Sequence, residues 1–444
     1  MIQKERIKYL NNKNFQNKKY IIYWMQQSQR AHYNHALEYA ISHSNKYEKP
    51  LIVYFGLTNN FPEANIRHYK FMLEGLKEVK KLLEERGIRF ILKQISPDLG
   101  LIDISKNSCE VIVDRGYLKI QRKWRKKVAN KIKCRLIQIE SDVVVPVEIA
   151  SNKEEYAAST IRPKINKNLN NFLTLLKTQK YNQKFVDEDL DSIDFKDISK
   201  NKIDNSAKPV DNFIGGTNKA IKQLNLFLKE KIDSYSEKRN DPNLDFVSNM
   251  SPYLHFGQIS PIYIALSVLK NKSPGNKSFL EELIVRRELS MNFVYYNLNY
   301  DNFNGLPQWA INSLKKHEKD KRQYNYFSEE FENAETHDPY WNAAQKQMIK
   351  TGKMHGYMRM YWGKKIIEWL KKPEDAFKIA IYLNNKYELD GRDANSYAGI
   401  AWCFGKHDRP WLGRSVFGNV RYMNANGLKR KFDIDLYSKK YNQV

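Results

Sequence analysis

Cysteines and acidic residues are both scarce in this chain of 444 residues. The three cysteines (Cys109, Cys134 and Cys403) are widely separated, so they form neither a disulfide framework nor a metal-spaced pair. No apolar run approaches the roughly 18 residues that a membrane-spanning helix needs. The opening segment, MIQKERIKYLNNKNFQNKKY, is polar and basic and lacks the apolar core of a signal peptide. Together these absences predict a soluble protein of the reducing cytoplasm, with no membrane association.

Acidic residues number 50 against 75 basic ones, which gives a formal net charge of +25. Such an excess favours polyanionic partners, mainly nucleic acid. The densest basic clusters are RKWRKK at 122–127 and LKRKF at 428–432. An A/T-biased genome also enriches Lys, Asn, Ile and Tyr without any function. Charge alone therefore leaves a nucleic-acid interface and a solvated basic face both open.

The first third of the chain alternates short apolar runs with amphipathic stretches. Because the apolar runs are nearly continuous, they indicate strands that are buried on both faces. The predicted strands are 20–25, 50–57, 89–95, 110–117 and 135–147, and the predicted helices between them are 28–44, 67–86 and 117–132. This alternation predicts a doubly wound parallel sheet. The GxGxxG and GxxxxGK[ST] fingerprints are missing, so a classical dinucleotide or P-loop site is not supported.

The apolar pattern weakens after residue 150 and returns as a helical one. One helix is predicted near 164–178, and 420–431 is predicted to be an exposed basic loop. The helices predicted beyond 215 are 216–231, 260–270, 277–298, 307–316, 339–350, 354–370, 373–386 and 393–402. We therefore predict an α/β domain over 1–160, a connecting segment over 161–215 and an all-α domain over 216–444.

The stretch THDPYWNAAQKQMIKTGKMHGYMRMYWGKKIIEW (336–369) is the most informative of the chain. Its tryptophans lie among polar residues and glycines, where an ordinary core helix would carry aliphatic side chains. Trp362 and Trp369 share one helix face, whereas Trp341 precedes the TGKMHG turn and belongs to the adjacent helix. Tryptophans along neighbouring helices can relay single electrons to a buried redox cofactor. Spacing alone leaves a tryptophan-rich packing layer open as the alternative.

Three further segments place polar side chains beside apolar helices. In SNMSPYLHFGQIS (248–260), hydroxyl and amide donors precede a Pro-initiated turn, which suits a phosphate ligand or an ordinary cap. In FLEELIVRRELSMNFVYYN (279–297), Glu and Arg lie about one turn apart, as in a surface ion pair. In ELDGRD (388–393), acidic residues surround a glycine turn, as in any charged loop. The histidines show neither metal-ligand spacing nor a nucleophile motif, so no metal site is predicted.

Taken in order, the segments between 235 and 432 resemble those of class II cyclobutane pyrimidine dimer DNA photolyases, within the photolyase/cryptochrome family. The resemblance implies an enzyme, a deoxyribodipyrimidine photo-lyase, with a Rossmann-like antenna-type domain and a helical FAD-binding domain. It implies that reduced FAD (FADH−), excited by blue light, passes an electron to a flipped-out pyrimidine dimer in UV-damaged DNA. The cyclobutane ring then splits and the electron returns to the flavin.

The resemblance also implies roles for individual residues. Those implied in catalysis are Glu282, Asn384, Trp362, Trp341, Trp369 and Tyr326. Those implied in cofactor binding are Tyr235, Ser248, Asn249, Met250, Ser251, Arg287, Asp390 and Arg392. Those implied in contacts with the lesion or the DNA backbone are Arg239, Asn240, Met360, Trp402, Arg421, Lys429 and Arg430.

Within these sets, Glu282 faces the damaged bases and Trp362 lies nearest the flavin, with Trp341 further out. Trp369 and Tyr326 are alternative branch or terminal donors. Asn384 is the residue beside flavin N5, with Asn395 as the competing candidate. Val285 and Arg286 stand where other photolyase classes carry a dimer-stacking tryptophan, so that role passes to Trp402.

Other functions stay open at this point. They are a cryptochrome-like photoreceptor, a photolyase for the (6-4) lesion, and a basic nucleic-acid-binding protein whose tryptophans are only core. Glu282 and the basic segment after 420 argue against the first. An antenna chromophore (a deazaflavin, a folate, a second flavin or none) is left unidentified. UV-damaged DNA is the expected partner, and we expect a monomer without an obligate protein partner.

Overall fold

The computed structural model describes residues 2–185, 190–199 and 202–443. Within these ranges, six strands form one sheet in the order β1-β6-β5-β2-β3-β4. The strands are β1 (Ile7–Tyr9), β2 (Tyr20–Trp24), β3 (Leu51–Gly56), β4 (Arg89–Lys93), β5 (Ser108–Asp114) and β6 (Arg135–Ile139). Every neighbouring pair is parallel except β1 and β6, which pair antiparallel. The predicted parallel sheet is confirmed, with an edge strand that the sequence did not indicate.

Helices cover both faces of the sheet. The helices of the first half are α1 (His35–Tyr47), α2 (Ile66–Glu85), α3 (Pro97–Ile104), α4 (Lys119–Lys131), α5 (Val147–Ala150) and α6 (Ala158–Phe172). On one face, the apolar sides of α1 and α2 pack on the sheet, and on the other face those of α3 and α4 do so. Because β2, β3 and β5 are buried along their whole length, they carry the near-continuous apolar runs from which they were predicted.

The second half is almost entirely helical. Its helices are α7 (Thr217–Glu230), α8 (Tyr235–Lys238), α9 (Ser251–His255), α10 (Pro261–Lys270), α11 (Asn276–Leu280), α12 (Arg287–Tyr296), α13 (Gln308–Lys316), α14 (Ser328–Glu332), α15 (Pro339–Thr351), α16 (Gly356–Trp369), α17 (Pro373–Tyr387), α18 (Ala394–Cys403), α19 (Ala425–Lys429) and α20 (Ile434–Asn442). A π-helical turn, Glu281–Arg286, joins α11 to α12. No helix of the described ranges is long and apolar enough to cross a membrane.

Several predicted boundaries were wrong for local physical reasons. Helix α1 begins at residue 35, not 28, because the Asn34 side chain caps the backbone N–H groups of Ala36 and Leu37. The strand predicted over 135–147 ends at Ile139, because Glu140 and Asp142 turn inward to pair with buried arginines.

Two segments that looked exposed are ordered. The helix predicted near 164–178 is α6, whose Ile161, Ile165 and Phe172 join the same core as Phe227. The basic loop predicted over 420–431 contains the short helix α19, which Asn424 caps through the N–H of Gly427. The limits proposed for the domains, 1–160 and 216–444, stay predictions.

The carboxyl ends of the parallel strands face the helical half. Where the two halves come close, a glycine lies against the backbone that follows β2. Gly257 has a φ of +64°, and a Cβ there would lie 1.8 Å from the Gln27 carbonyl oxygen. The same turn is held by Gln27 Nε2, which donates to the His255 carbonyl at 2.6 Å, and by Arg30 Nη1, which donates to the Gly257 carbonyl at 2.8 Å. A side chain at this position therefore forces the two halves apart.

We expect Gly257→Ala to lower the free energy of unfolding by about 2–4 kcal/mol, because it adds left-handed backbone strain to a steric clash. Gly399→Ala is the matched control, since a Cβ at Gly399, inside α18, would meet nothing within 4 Å. That control should stabilise the protein by about 0.5–1 kcal/mol. Urea unfolding of both variants measures the difference. Equal effects from the two substitutions would contradict the close approach.

Candidate functional site

A continuous aromatic series is formed by three tryptophans on α15 and α16 and by Tyr326, which lies just before α14. The rings of Trp341 and Trp362 are nearly parallel, with centroids 6.1 Å apart and an interplanar angle of 8°. Trp369 lies 5.8 Å from Trp341, and Tyr326 lies 5.3 Å from Trp369. All three indoles are buried. The series therefore runs from the interior to the half-buried Tyr326, and each ring is in contact with the next.

Hydrogen bonds fix the orientation of the two stacked indoles. Trp362 Nε1 donates to Gln345 Oε1 at 2.9 Å, and Trp341 Nε1 donates to the Trp362 carbonyl oxygen at 3.0 Å. Buried indole N–H groups need such partners, because an unpaired one loses its hydration without compensation. The sequence predicted both the shared face of Trp362 and Trp369 and the separate helix of Trp341, and this placement is what the structure has. Their role in electron transfer stays a prediction.

A cluster of charged side chains lies on the same helix as Trp362 and on the turn that follows α17. The Arg359 guanidinium is 3.0 Å from Glu388 Oε1 and 3.6 Å from Asp390 Oδ1. Lys353 Nζ donates to Ser251 Oγ at 2.6 Å. Burial alone would raise the pKa of Asp390, but Arg359 and Lys353 hold it below its ordinary value. We call Ser251, Lys353, Arg359, Glu388 and Asp390 the ionic cluster.

The ionic cluster is incompletely satisfied. Among the described residues, Arg359 Nε, Glu388 Oε2 and Asp390 Oδ1 are buried atoms without a hydrogen-bond partner. Burial raises the pKa of Glu388 to about 7 although Arg359 opposes the shift. Buried polar groups are almost always paired, and each exception calls for an explanation. Unpaired donors and acceptors in one place suit a polar ligand that brings its own partners.

The segment before α9 supplies the other predicted cofactor contacts. Asn249 has a φ of +57°, a left-handed conformation, which turns the chain into α9 between Ser248 and Met250. Met250 is buried, and Ser248 and Asn249 are half-buried. Tyr235, predicted to contact the flavin, is buried against Phe227 and Phe279, with both ring centroids 5.5 Å away. Ser248, Asn249 and Ser251 therefore lie on one short segment that leads to Lys353.

The two candidate asparagines lie on adjacent helices. Asn384 is buried on α17 and donates to Ser396 Oγ on α18. Asn395 is half-buried, and its amide nitrogen donates to Asp393 Oδ1 at 2.8 Å. The choice between them stays a prediction in favour of Asn384.

Two arginines predicted to bind the cofactor contact residues of the α/β half. Arg392 Nη1 lies 3.0 Å from His68 Nε2 and also donates to the Asn385 carbonyl, so its guanidinium faces the α/β half. Arg287 Nη1 donates to the Asp142 carbonyl at 2.6 Å. Both side chains join the two halves of the chain, and neither makes a hydrogen bond to the ionic cluster within the described ranges. Their predicted role in cofactor binding stays a prediction.

The predicted lesion-side residues form two groups. In the first, Arg239 Nη1 lies 2.9 Å from Glu282 Oε1, and the Arg239 guanidinium lies 5.5 Å from the centre of the Tyr235 ring. The Glu282 side chain is 38% exposed, so it can exchange its partner for a ligand. Asn240 beside it is exposed, and Met360 on α16 is half-buried.

The second group surrounds Trp402. Arg421 lies over the rings of both Trp402 and Trp411, at 5.8 and 4.9 Å from their centres. Arg421 itself is exposed and Trp411 is 39% exposed, so an aromatic and cationic rim faces solvent. Lys429 and Arg430 are exposed at the end of α19. This arrangement suits unstacked bases and phosphates.

A cleft separates the carboxyl ends of the strands from the helical half. It encloses about 960 Å³ of empty space, part of it open to solvent. Its lining includes Phe55, Phe61 and Trp124 from the α/β half and His255 and Asp393 from the helical half, and both halves contribute polar and apolar side chains. Ligands of open parallel sheets bind at this edge.

Known proteins resemble this chain over nearly its whole length. The profile of the DNA photolyase family matches residues 21–182. The deoxyribodipyrimidine photo-lyase of Methanothermobacter thermautotrophicus is 51% identical over 439 residues, which cover 98% of each chain. This chain belongs to the DNA photolyase family. The photolyase of Potorous tridactylus is 40% identical over 94% of this chain and 80% of its own, and that of Arabidopsis thaliana 39% identical over 94% and 88%.

Solved photolyase structures share the fold. A class III photolyase from Agrobacterium tumefaciens superposes with a TM-score of 0.69 at 18% identity, over 96% of this chain and 87% of its own. The photolyase of Sulfolobus tokodaii, solved with two FAD molecules, superposes with a TM-score of 0.73 at 16% identity, over 95% and 89%. The predicted architecture, a parallel-sheet domain followed by a helical part, is therefore that of the photolyases.

Sequence reasoning missed the cations and one of the carboxylates of the ionic cluster. Lys353 lies in the TGKMHG turn, Arg359 interrupts the apolar face of α16, and Glu388 directly follows α17. Each looks like an ordinary surface charge in isolation. The available signal was Arg359 itself, since a charged residue one turn before a buried tryptophan requires a partner.

Proposed function

We propose that this photolyase is a class II enzyme that repairs cyclobutane pyrimidine dimers in DNA with light and reduced FAD. The observation that carries the proposal is the buried series Trp362–Trp341–Trp369, which begins on the helix that also bears Arg359 of the ionic cluster. A layer of tryptophans that served only packing would not need stacked indoles whose N–H groups are each hydrogen-bonded. It would also not need buried, unpaired charged atoms beside the indoles. The class II assignment is supported by the resemblance of these tryptophans, of Asn384 and of Trp402 to that class.

The residues of the ionic cluster fit an FAD molecule. Their buried, unpaired atoms include both a donor and acceptors, as a ligand with phosphates, ribityl hydroxyls and ring nitrogens requires. Ser251 and Lys353 would hold phosphate oxygens, Asp390 would accept from the flavin ring or ribityl chain, and Asn384 would donate to the ring. When bound, reduced FAD supplies the photoexcited electron for ring splitting.

The chain's own residues position the lesion. Photolyases are known to extrude the damaged pair from the duplex, which costs a few kcal/mol and less for a damaged base. Glu282, released from Arg239, would accept hydrogen bonds from the imide N–H groups of the dimer. Trp402 would stack on the bases, with Met360 filling the space beside them. Arg239, Asn240 and Arg421 would hold the backbone on either side.

The cleft at the strand ends is the site that we propose for an antenna chromophore. Its aromatic side chains Phe55, Phe61 and Trp124 suit a planar ring, and His255 and Asp393 offer hydrogen bonds to it. The ring class (a deazaflavin, a folate or a flavin) is decided by the absorption spectrum of the purified protein.

The decisive experiment is repair of a thymine-dimer oligonucleotide by purified, reduced protein, under blue light and in the dark. Repair in the light alone supports the proposal. Tight binding of the oligonucleotide by flavin-loaded protein without repair would reject it in favour of another lesion or a photoreceptor. Glu282→Ala, measured in parallel, should reduce the repair yield without changing flavin content, because Glu282 belongs to the lesion side only.

Phosphate contacts should make DNA binding strongly salt-dependent. We expect Lys429→Ala to reduce the slope of log K against log salt by about 0.9, the value for one phosphate contact to duplex DNA. Lys81→Ala is the control, because Lys81 is an exposed lysine of α2, 3.9 Å from Glu85, on the α/β half. Titrations of a lesion-bearing duplex at several salt concentrations give both slopes. An unchanged slope for Lys429→Ala would remove α19 from the DNA interface.

A further inference from the structure

A tyrosine and a histidine form a short hydrogen-bonded pair at the outer end of the tryptophan series. The Tyr326 hydroxyl lies 2.5 Å from His337 Nδ1, and the backbone N–H of His337 donates to the same hydroxyl oxygen at 3.0 Å. The phenolic oxygen can accept this N–H and still donate its own proton toward Nδ1. In the tautomer that carries its proton on Nε2, the imidazole accepts that O–H at Nδ1.

The pair is in contact with the last buried indole. Trp369 lies 5.3 Å from the ring of Tyr326 and 5.3 Å from that of His337. Trp369 is buried, whereas His337 is exposed. The ring of Tyr324 stacks on His337 with centroids 3.4 Å apart, so the imidazole is held between a tyrosine and the tryptophan series. A proton on His337 can reach solvent, but one on Trp369 cannot.

We propose that Tyr326 is the terminal electron donor of the series and that His337 is the base that takes its phenolic proton. The inference rests on the proposed function, in which the photoexcited oxidised flavin is the oxidant of the tryptophans. Sequence resemblance offered Tyr326 and Trp369 as alternative termini and gave His337 no role. The hydrogen bond to Nδ1 favours Tyr326 and adds the base.

The step is balanced in charge and atoms. Tyr326 gives one electron to the oxidised Trp369 and its O–H proton to His337 Nδ1, which yields a neutral tyrosyl radical, neutral Trp369 and an imidazolium. An external thiolate then gives one electron to the tyrosyl radical and becomes a thiyl radical, and the imidazolium returns the proton to the phenol oxygen. Because the radical is neutral and its proton has moved, the electron does not readily return along the indoles. The base thus lengthens the lifetime of the charge-separated state.

Partial desolvation of the His337 ring keeps the imidazole able to accept a proton at neutral pH. Burial lowers the pKa of His337 from its ordinary value, and Lys365 lowers it further against the opposing effects of Asp338 and Glu368. Burial raises the pKa of Tyr326, although the N–H of His337 opposes the shift. The groups that face the imidazole are thus Asp338, Lys365, Glu368 and the two tyrosines. Acidification below the pKa of His337 protonates Nδ1 and should suppress the tyrosyl radical.

Flash photolysis of the flavin-loaded protein tests the step directly. His337→Gln keeps a polar side chain of similar reach but removes the base, so the rate of tyrosyl formation should fall by about 100-fold, the usual contribution of a positioned base. Tyr326→Phe should abolish the tyrosyl signal and leave the tryptophan radical. Tyr324→Phe is the matched control, because it keeps the ring on His337, and it should behave as the natural protein. Added imidazole should restore tyrosyl formation in His337→Ala, since the site is exposed.

A second readout needs no light. In flavin-loaded protein kept in the dark, with its histidines labelled with ¹⁵N, the Nδ1 resonance of His337 should be that of an unprotonated acceptor, and Tyr326→Phe should shift it. The outcomes separate the two proposals. Tryptophan radicals that form and decay alike in the natural protein, His337→Gln and Tyr326→Phe would overturn this inference alone. Failure to form any tryptophan radical in the natural protein would overturn the proposed function, and the inference with it.

Discussion

Trp362→Phe should lose light-driven reduction of its oxidised flavin and still repair DNA when the flavin has been reduced chemically beforehand. Trp362 is the end of the indole series that lies one turn from Arg359 on α16, so in the proposed path every electron from Trp341 passes through it. Phenylalanine keeps an aromatic ring in the core but is far harder to oxidise. Repair consumes no electron overall, because the electron returns to the flavin. Photoreduction should therefore be lost in this variant while repair is kept.

Absorbance spectra under blue light with a thiol present measure the reduction, and the oligonucleotide assay measures repair. Trp309→Phe is the control, because Trp309 is half-buried on α13, outside the series. Loss of the N–H that pairs with Gln345 should cost Trp362→Phe about 1–3 kcal/mol, so both variants are compared well below their melting temperatures. Photoreduction that persists at its full rate in Trp362→Phe would exclude Trp362 from the path.

The α/β half was predictable because each buried strand is visible in the sequence as its own apolar run. The runs YIIYW and LIVYFG are buried along their whole length, and a parallel sheet is the arrangement that buries both faces of successive strands. The edge strand β1 escaped because IKY is short and mostly exposed, without apolar periodicity. Its antiparallel pairing with β6 depends on a partner 130 residues away, which local pattern does not encode.

The helices that carry the site were predictable for a similar local reason, but the ionic cluster was not. Trp362 and Trp369 lie on one face of α16 by spacing alone. By contrast, Lys353 in the turn before α16 meets Ser251 at the start of α9 only through long-range packing. Arg359 on α16 meets Glu388, just after α17, for the same reason. A charge that looks solvated in the sequence becomes buried through such long-range packing. Arg392 is a further case, since its position in ELDGRD did not indicate that its guanidinium would lie against His68 of the α/β half.

Arg359→Met should destabilise the protein by about 3–5 kcal/mol, because it leaves buried carboxylates without their cation. Glu388 is fully buried and Asp390 nearly so, and Arg359 is the arginine that both contact. The loss should depend on pH. Burial raises the pKa of Glu388 to about 7 from an ordinary 4.5, so the folded state binds this proton more tightly and stability falls as pH rises between these values. Without Arg359 the pKa rises further, and the fall extends above pH 7.

The double variant Arg359→Met/Glu388→Gln separates folding from cofactor binding. Removing the charge of Glu388 should recover much of the lost stability and flatten the pH dependence, since the remaining amide has no charge to bury. It should not recover flavin retention, because the unpaired Nε donor of Arg359 is still missing and an amide cannot replace it. Urea unfolding from pH 5 to 8 and flavin content after gel filtration give the two readouts. If stability and flavin retention recover together, Arg359 serves only the fold. If stability recovers alone, Arg359 also binds the ligand for which the ionic cluster has unpaired donors and acceptors.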